Sequence, residues 1–153
     1  MLSVAAIQYC ARDDAATTLS HIRPMIAEAA ERARLITLPE AATYLSASRS
    51  QLAERAEWED DSFSYQKLAS MAREFSIWIL AGSLMMRRRD NGRMVNRSLL
   101  IGPDGALVAK YDKIHMFDAD VGDGQVYRES QNFAAGELPV IAKIDSMPTG
   151  LSI

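Results

Sequence analysis

The chain has 153 residues, of which 48% are apolar and 24% charged, and it carries a net charge of −3. This balance belongs to a globular chain long enough to bury a core, and it excludes intrinsic disorder and a cationic surface built for nucleic acid or anionic membrane. A single cysteine, Cys10, excludes an internal disulfide and favours a reducing compartment, so the cytoplasm is the expected location. The opening MLSVAAIQYC has no basic leader, and no run of about 18 apolar residues exists, so neither a signal peptide nor a membrane span is expected.

SVAAIQ, from Ser3 to Gln8, is short and apolar and reads as a buried strand. Asp13 and Asp14 offer a helix cap, and Leu19, Ile22, Ile26, Ala29 or Ala30, and Ala33 follow at helical spacing. Pro24 lies inside that pattern and predicts a kink or a late start, because it lacks an N–H and clashes with the preceding turn. RLITLPE, from Arg34 to Glu40, is a second strand that Pro39 brings to its exit. Residues 41–59 show no clear period and read as a loop with a short helix. Asp61 or Ser62 caps a second helix with an apolar face of Tyr65, Leu68, Met71 or Ala72, and Phe75. SIWILAGS, from Ser76 to Ser83, is a third strand.

Arg87, Arg88 and Arg89 stand beside Asp90, Asn91 and Gly92, which marks a solvated hairpin tip rather than a phosphate patch. MVNRSLLIGPDGALVAKYDK is a hairpin about Gly102, Pro103, Asp104 and Gly105. In the closing MPTGLSI, the residues after glycine read as the opening of a buried strand. Strands alternating with helices, then a hairpin, imply a layered α/β fold without an internal domain boundary.

The common α/β ligand motifs are absent. No G-x-G-x-x-G follows the first strand, and neither a G-x-x-x-x-G-K-[ST] loop nor a G-x-S-x-G elbow occurs. His21 and His115 lack a second ligand at helical spacing, so no metal is expected. Glu40 ends an apolar strand, where open α/β sheets gather ligands, and it could serve as a general base. Taken alone, it reads more simply as a strand-end carboxylate that caps the next segment. Lys113, after the second hairpin arm, could stabilise an oxyanion, or be an ordinary exposed lysine in a charged loop.

LITLPE, NRSLLIGPDGALVAKYDKIHMFD, YRES and GLSI occur in this order along the chain. Together they resemble the nitrilase superfamily, the carbon–nitrogen hydrolases. The resemblance is closest to the Nit-type amidase branch, which includes omega-amidase and deaminated-glutathione amidase. It implies a four-layer α-β-β-α sandwich, dimerised through outer helices, of which this chain is about the first half. It also implies Glu40 as general base, Lys113 as oxyanion support and Glu129 as a second glutamate that positions the lysine. The nucleophile would be a cysteine just beyond Ile153, with the rest of the domain following; Cys10 does not match its place.

The expected substrate is a small carboxylate-bearing amide, hydrolysed through a thioester without metal or organic cofactor. Tyr44, His115 and Phe117 flank the motifs and are candidates for the pocket lining, with plain packing as their simpler explanation. Two alternatives stand beside this reading. One is a binding or scaffold protein that keeps the fold without the nucleophile. The other is an unrelated nucleotide-binding α/β domain, which the absent glycine loops disfavour.

Overall fold

A computed structural model describes residues 1–46, 48–122 and 126–153. Strand β1 (Val4–Ala6) leads to helix α1 (Ala15–Ala30), then β2 (Leu35–Thr37), α2 (Arg49–Arg55), β3 (Glu57–Trp58) and α3 (Phe63–Phe75). Next come β4 (Trp78–Arg87), β5 (Met94–Ile101) and β6 (Leu107–Asp112). The chain continues with β7 (Asp118–Asp120), β8 (Val126–Arg128), a 3₁₀ turn (Glu129–Gln131), β9 (Val140–Ile144) and β10 (Met147–Leu151).

Local chemistry sets the helices. The Asp14 carboxylate accepts the Thr17 N–H at 2.8 Å and starts α1, whose Thr18, Leu19, Ile22 and Ile26 are buried at the expected spacing. The helix runs unbroken through Pro24 instead of starting late. Pro24 and Ser20, the residue whose carbonyl loses its partner, both lie on the exposed face, where water can take the bond. Ala33 is buried but lies beyond the helix end. Ser62 caps α3 by accepting the Tyr65 N–H at 3.0 Å. Ser76 ends it in the left-handed region at φ 53°.

The main sheet runs β1-β2-β4-β5-β6. The first three strands are parallel and the last three antiparallel, while β3 pairs with the far end of β4. β4 extends well past Ser83, the end that its sequence suggests. The register shifts between Ala81 and Leu84, so the strand passes Gly82 and Ser83 as an irregularity and then resumes. All eight residues of β5 are buried.

Leu19, Ile22, Ile26, Leu68 and Ala72 of the two long helices pack on one face of the sheet through Ile36, Ile79, Val95 and Leu99. Leu35, Trp78, Leu100 and Tyr111 face the other way and meet Ile144 and Leu151 of the β9–β10 hairpin. The order is therefore helices, sheet, second sheet. The hairpin covers part of this second face, because β10 forms at Met147–Leu151, earlier than expected, and folds back on β9. Asp145, at φ 54° in the turn between them, accepts the Trp78 indole N–H at 3.1 Å and fixes the hairpin to the sheet.

A charged side chain is buried within this frame. The Arg97 guanidinium, on a residue only 3% exposed, bonds Asp112 of β6 and Glu59 after β3. It donates to Asp112 Oδ2 at 2.9 Å and to Glu59 Oε2 at 2.6 Å. The Arg89 backbone N–H and then Arg97 hold the Glu59 carboxyl down at about 2. A depressed carboxylate contributes stability that is complete above its unfolded pKa and lost as pH falls through the folded one. The urea midpoint is therefore expected to fall between about pH 4.5 and pH 2, with a shallower fall in Glu59→Gln. Equal slopes in the two proteins would remove Glu59 from the acid response.

Candidate active site

Glu40 is placed by the way β2 ends. Leu38 donates to the Leu80 carbonyl at 2.9 Å, Ser83 donates to Pro39 at 3.3 Å, and Ala42 donates to Ser83 at 2.8 Å. The Ala41 N–H reaches the buried Ser83 hydroxyl at 2.9 Å. These bonds draw the exit of β2 onto the irregular stretch of β4. Gly82 permits the approach: a Cβ there would stand 2.8 Å from the Pro39 carbonyl and nearer still to the Leu38 oxygen. Ala41 then takes φ 55°, an uncommon conformation for a residue with a side chain, and turns the chain sharply behind Glu40.

Lys113 leaves β6 with its N–H on the Asn96 carbonyl at 2.9 Å and its own carbonyl accepting from Gly136 at 2.8 Å. Glu129 opens the 3₁₀ turn. Its carboxylate accepts the Phe117 N–H at 2.7 Å, so the β7–β8 ribbon and the turn are tied together. Asp118 strengthens the tie by accepting the Ser130 hydroxyl at 2.6 Å.

The three ionisable groups meet. Lys113 Nζ lies 3.1 Å from Glu40 Oε1 and 3.0 Å from Glu129 Oε2. The lysine and Glu129 side chains are 12% and 16% exposed, whereas that of Glu40 is 50% exposed. Burial opposes the charge on Lys113 most strongly. Hydrogen bonds to Glu129 and Glu40, with their attraction, outweigh it and raise the lysine pKa above its ordinary value. An ammonium has three N–H bonds, and two are directed at carboxylates here, which leaves one for a developing oxyanion.

These groups border a cleft of about 480 Å³, whose wall includes Phe117, Tyr127, Arg128 and Phe133. The Phe117 and Tyr127 rings lie 5.4 Å apart in a tilted pair. Tyr44 and His115, candidates for the pocket lining, are not part of this wall. Tyr44 is turned inward beneath Arg55, 4.9 Å from its ring, beside a separate cavity of about 420 Å³. His115 is exposed and likewise outside the wall. Cys10 is exposed and also outside the wall. Among the described residues, no cluster of His, Cys, Asp or Glu is arranged to hold a metal ion.

Sequence reasoning missed Asn96. It is 1% exposed and donates from Nδ2 to Glu40 Oε1 at 2.6 Å. Its signal was available: Asn96, Arg97 and Ser98 are three polar residues in succession inside an otherwise apolar strand. Such groups are buried only with partners. Arg128 of the cleft wall was missed as well.

A family model described as carbon-nitrogen hydrolase matches residues 3–153. The deaminated glutathione amidase of Yersinia enterocolitica is 33% identical over 154 residues, covering 99% of this chain and 53% of its own length. Among solved structures, the C. elegans NitFhit protein aligns with a TM-score of 0.86 at 24% identity, over 99% of this chain and 37% of that one. A mutant of the amidase from Nesterenkonia sp. AN1, showing Michael addition of acrylamide at the active site cysteine, aligns with a TM-score of 0.78 at 21% identity. That match covers 98% of this chain and 56% of the amidase. The two structures show a shared fold. The chain spans about half the length of the curated relatives it matches.

The close approach of β2 to β4 gives a direct test. Gly82→Ala is expected to destabilise the protein by about 1–3 kcal/mol in urea denaturation, because the neighbour is backbone and cannot rotate away. An unchanged midpoint would show that the exit of β2 has slack.

Proposed function

The chain belongs to the carbon–nitrogen hydrolase family, and on that premise we propose that it supplies the base and the oxyanion support of an amidase acting on small carboxylate-bearing amides. The observation that carries the proposal is the single ammonium held by Glu40 and Glu129 at the edge of an open cleft. In this reading the nucleophile is a cysteine thiol contributed by polypeptide beyond these residues, as the Nesterenkonia amidase carries a cysteine at its active site. A free thiol, with a pKa of about 8.5, needs a base to reach its reactive form at neutral pH.

Glu40 takes the thiol proton, and the thiolate attacks the amide carbon. The carbonyl electron pair moves to oxygen, where Lys113 donates its remaining N–H. Collapse of this intermediate breaks the C–N bond as Glu40 passes its proton to the departing ammonia. Glu40 then removes a proton from water, which attacks the thioester; the acid leaves and the proton returns to sulfur. Glu129 holds the lysine between the two steps.

Arg128 supports an anionic substrate. Lys113 is already matched by two carboxylates, and Asp118, paired across the ribbon from Arg128, is hydrogen-bonded by Ser130 and attracts Arg128 only through space. The Arg128 guanidinium donates to the Tyr127 carbonyl at 2.8 Å and remains on the cleft wall to receive a carboxylate.

The test measures ammonia release from small amides, with the thiol-bearing segment present. Glu40→Gln is expected to lower kcat by roughly a hundredfold or more without unfolding the protein. Absence of release by the unmodified protein on every amide would overturn the amidase reading, and retained ligand binding would then favour a scaffold role. Separately, Arg128→Leu is expected to raise KM about tenfold for a carboxylate-bearing amide and leave a neutral amide unaffected. An equal change for both substrates would remove Arg128 as the anchor.

A further inference from the structure

We propose that Asn96 is a positioning residue that pins one oxygen of Glu40 and so makes the other the oxygen that exchanges protons. The inference rests on the amidase reading and adds to it a residue that never touches substrate. Glu40 Oε1 receives two donors, Asn96 Nδ2 at 2.6 Å and Lys113 Nζ at 3.1 Å. Oε2 has no partner among the described residues and belongs to a half-exposed side chain that borders the cleft. A proton arriving at Glu40 therefore finds Oε1 occupied and Oε2 open.

Lys113 alone would not hold this arrangement. A point-like ammonium attracts either carboxylate oxygen, and rotation about the last side-chain bond exchanges them. An amide on a fully buried strand residue fixes a direction as well as a distance. The Asn96 backbone carbonyl also accepts the Lys113 N–H at 2.9 Å, so one residue sets the separation between base and lysine from both ends.

Asn96 shows a cost consistent with this role. Its Oδ1 is buried and has no hydrogen-bond partner among the described residues. An unsatisfied buried acceptor is unfavourable. Reversing the amide would not cure the defect, because it would aim Oδ1 at the Glu40 carboxylate and lose the donor. The carboxylate fixes the amide orientation, and Asn96 tolerates an orphan acceptor in order to keep Nδ2 on Glu40.

Two measurements test the proposal in the protein bearing its thiol segment. Side-chain amide NMR reads the link independently of turnover: the Asn96 amide protons are expected to move in Glu40→Ala and to stay in place in Arg128→Leu. No movement in Glu40→Ala would overturn the link. In kinetics, Asn96→Asp and Asn96→Leu are each expected to lower kcat about ten- to a hundredfold, with KM within twofold and the protein still folded by circular dichroism. A loss expressed in KM, or retained kcat in folded Asn96→Leu, would overturn the positioning role. If even the unmodified protein releases no ammonia, the amidase reading fails and this role falls with it, while the NMR arm still reports whether the contact exists.

Discussion

One half-buried ammonium and two carboxylates drawn from distant parts of the chain set the geometry on which the rest of the site depends. Lys113 reaches Glu40 across 73 residues of sequence and Glu129 across a shorter loop. None of the three would keep its position alone. A half-buried lysine favours losing its charge, and paired carboxylates repel; together each supplies what the others lack. The net result is a lysine that remains a cation beside a glutamate that still faces the cleft.

The sheet provides the precision. β2 and β4 approach until no side chain fits at Gly82, Ser83 fastens the turn that follows, and Ala41 adopts a backbone that places Glu40 outward. Arg97, clamped between Asp112 and Glu59, sits next to Asn96 in β5, and its partner Asp112 precedes Lys113. The structural ion pair and the candidate chemistry therefore share the same two strands. A slip of one residue between β5 and β6 would separate Arg97 from Asp112 and Asn96 from Lys113 at once.

Much of this fold was legible in the sequence. β1, β2, α1, α3 and the β5–β6 hairpin lie where apolar period, caps and turn residues place them, since those signals are local. β4 ran longer than its pattern because Gly82 ends an apolar run by composition while the backbone passes through it as an irregularity. β10 was displaced because Pro148 discourages a strand reading; it is tolerated there because β10 pairs on only one side among the described residues. At the site, Glu40, Lys113 and Glu129 gained meaning from the ordered resemblance, since each alone has an ordinary surface explanation. Tyr44 and His115 were proposed from nearness along the chain, and the turns after Glu40 and Lys113 carry them away from the cleft. The polar run at Asn96 marks a buried group, but its partner stayed hidden because no periodicity reveals what an amide contacts 56 residues away.

The long span between Glu40 and Lys113 has a bearing on assembly. Contacts that close large loops form late, after shorter-range structure has covered their entropic cost. As the polypeptide leaves the ribosome, Glu40 emerges first and remains a hydrated, unmatched charge until the β5–β6 hairpin delivers its counter-ion. The shielding of the Lys113 amine from acylating reagents becomes a marker of maturation, acquired only when the last of these strands has docked.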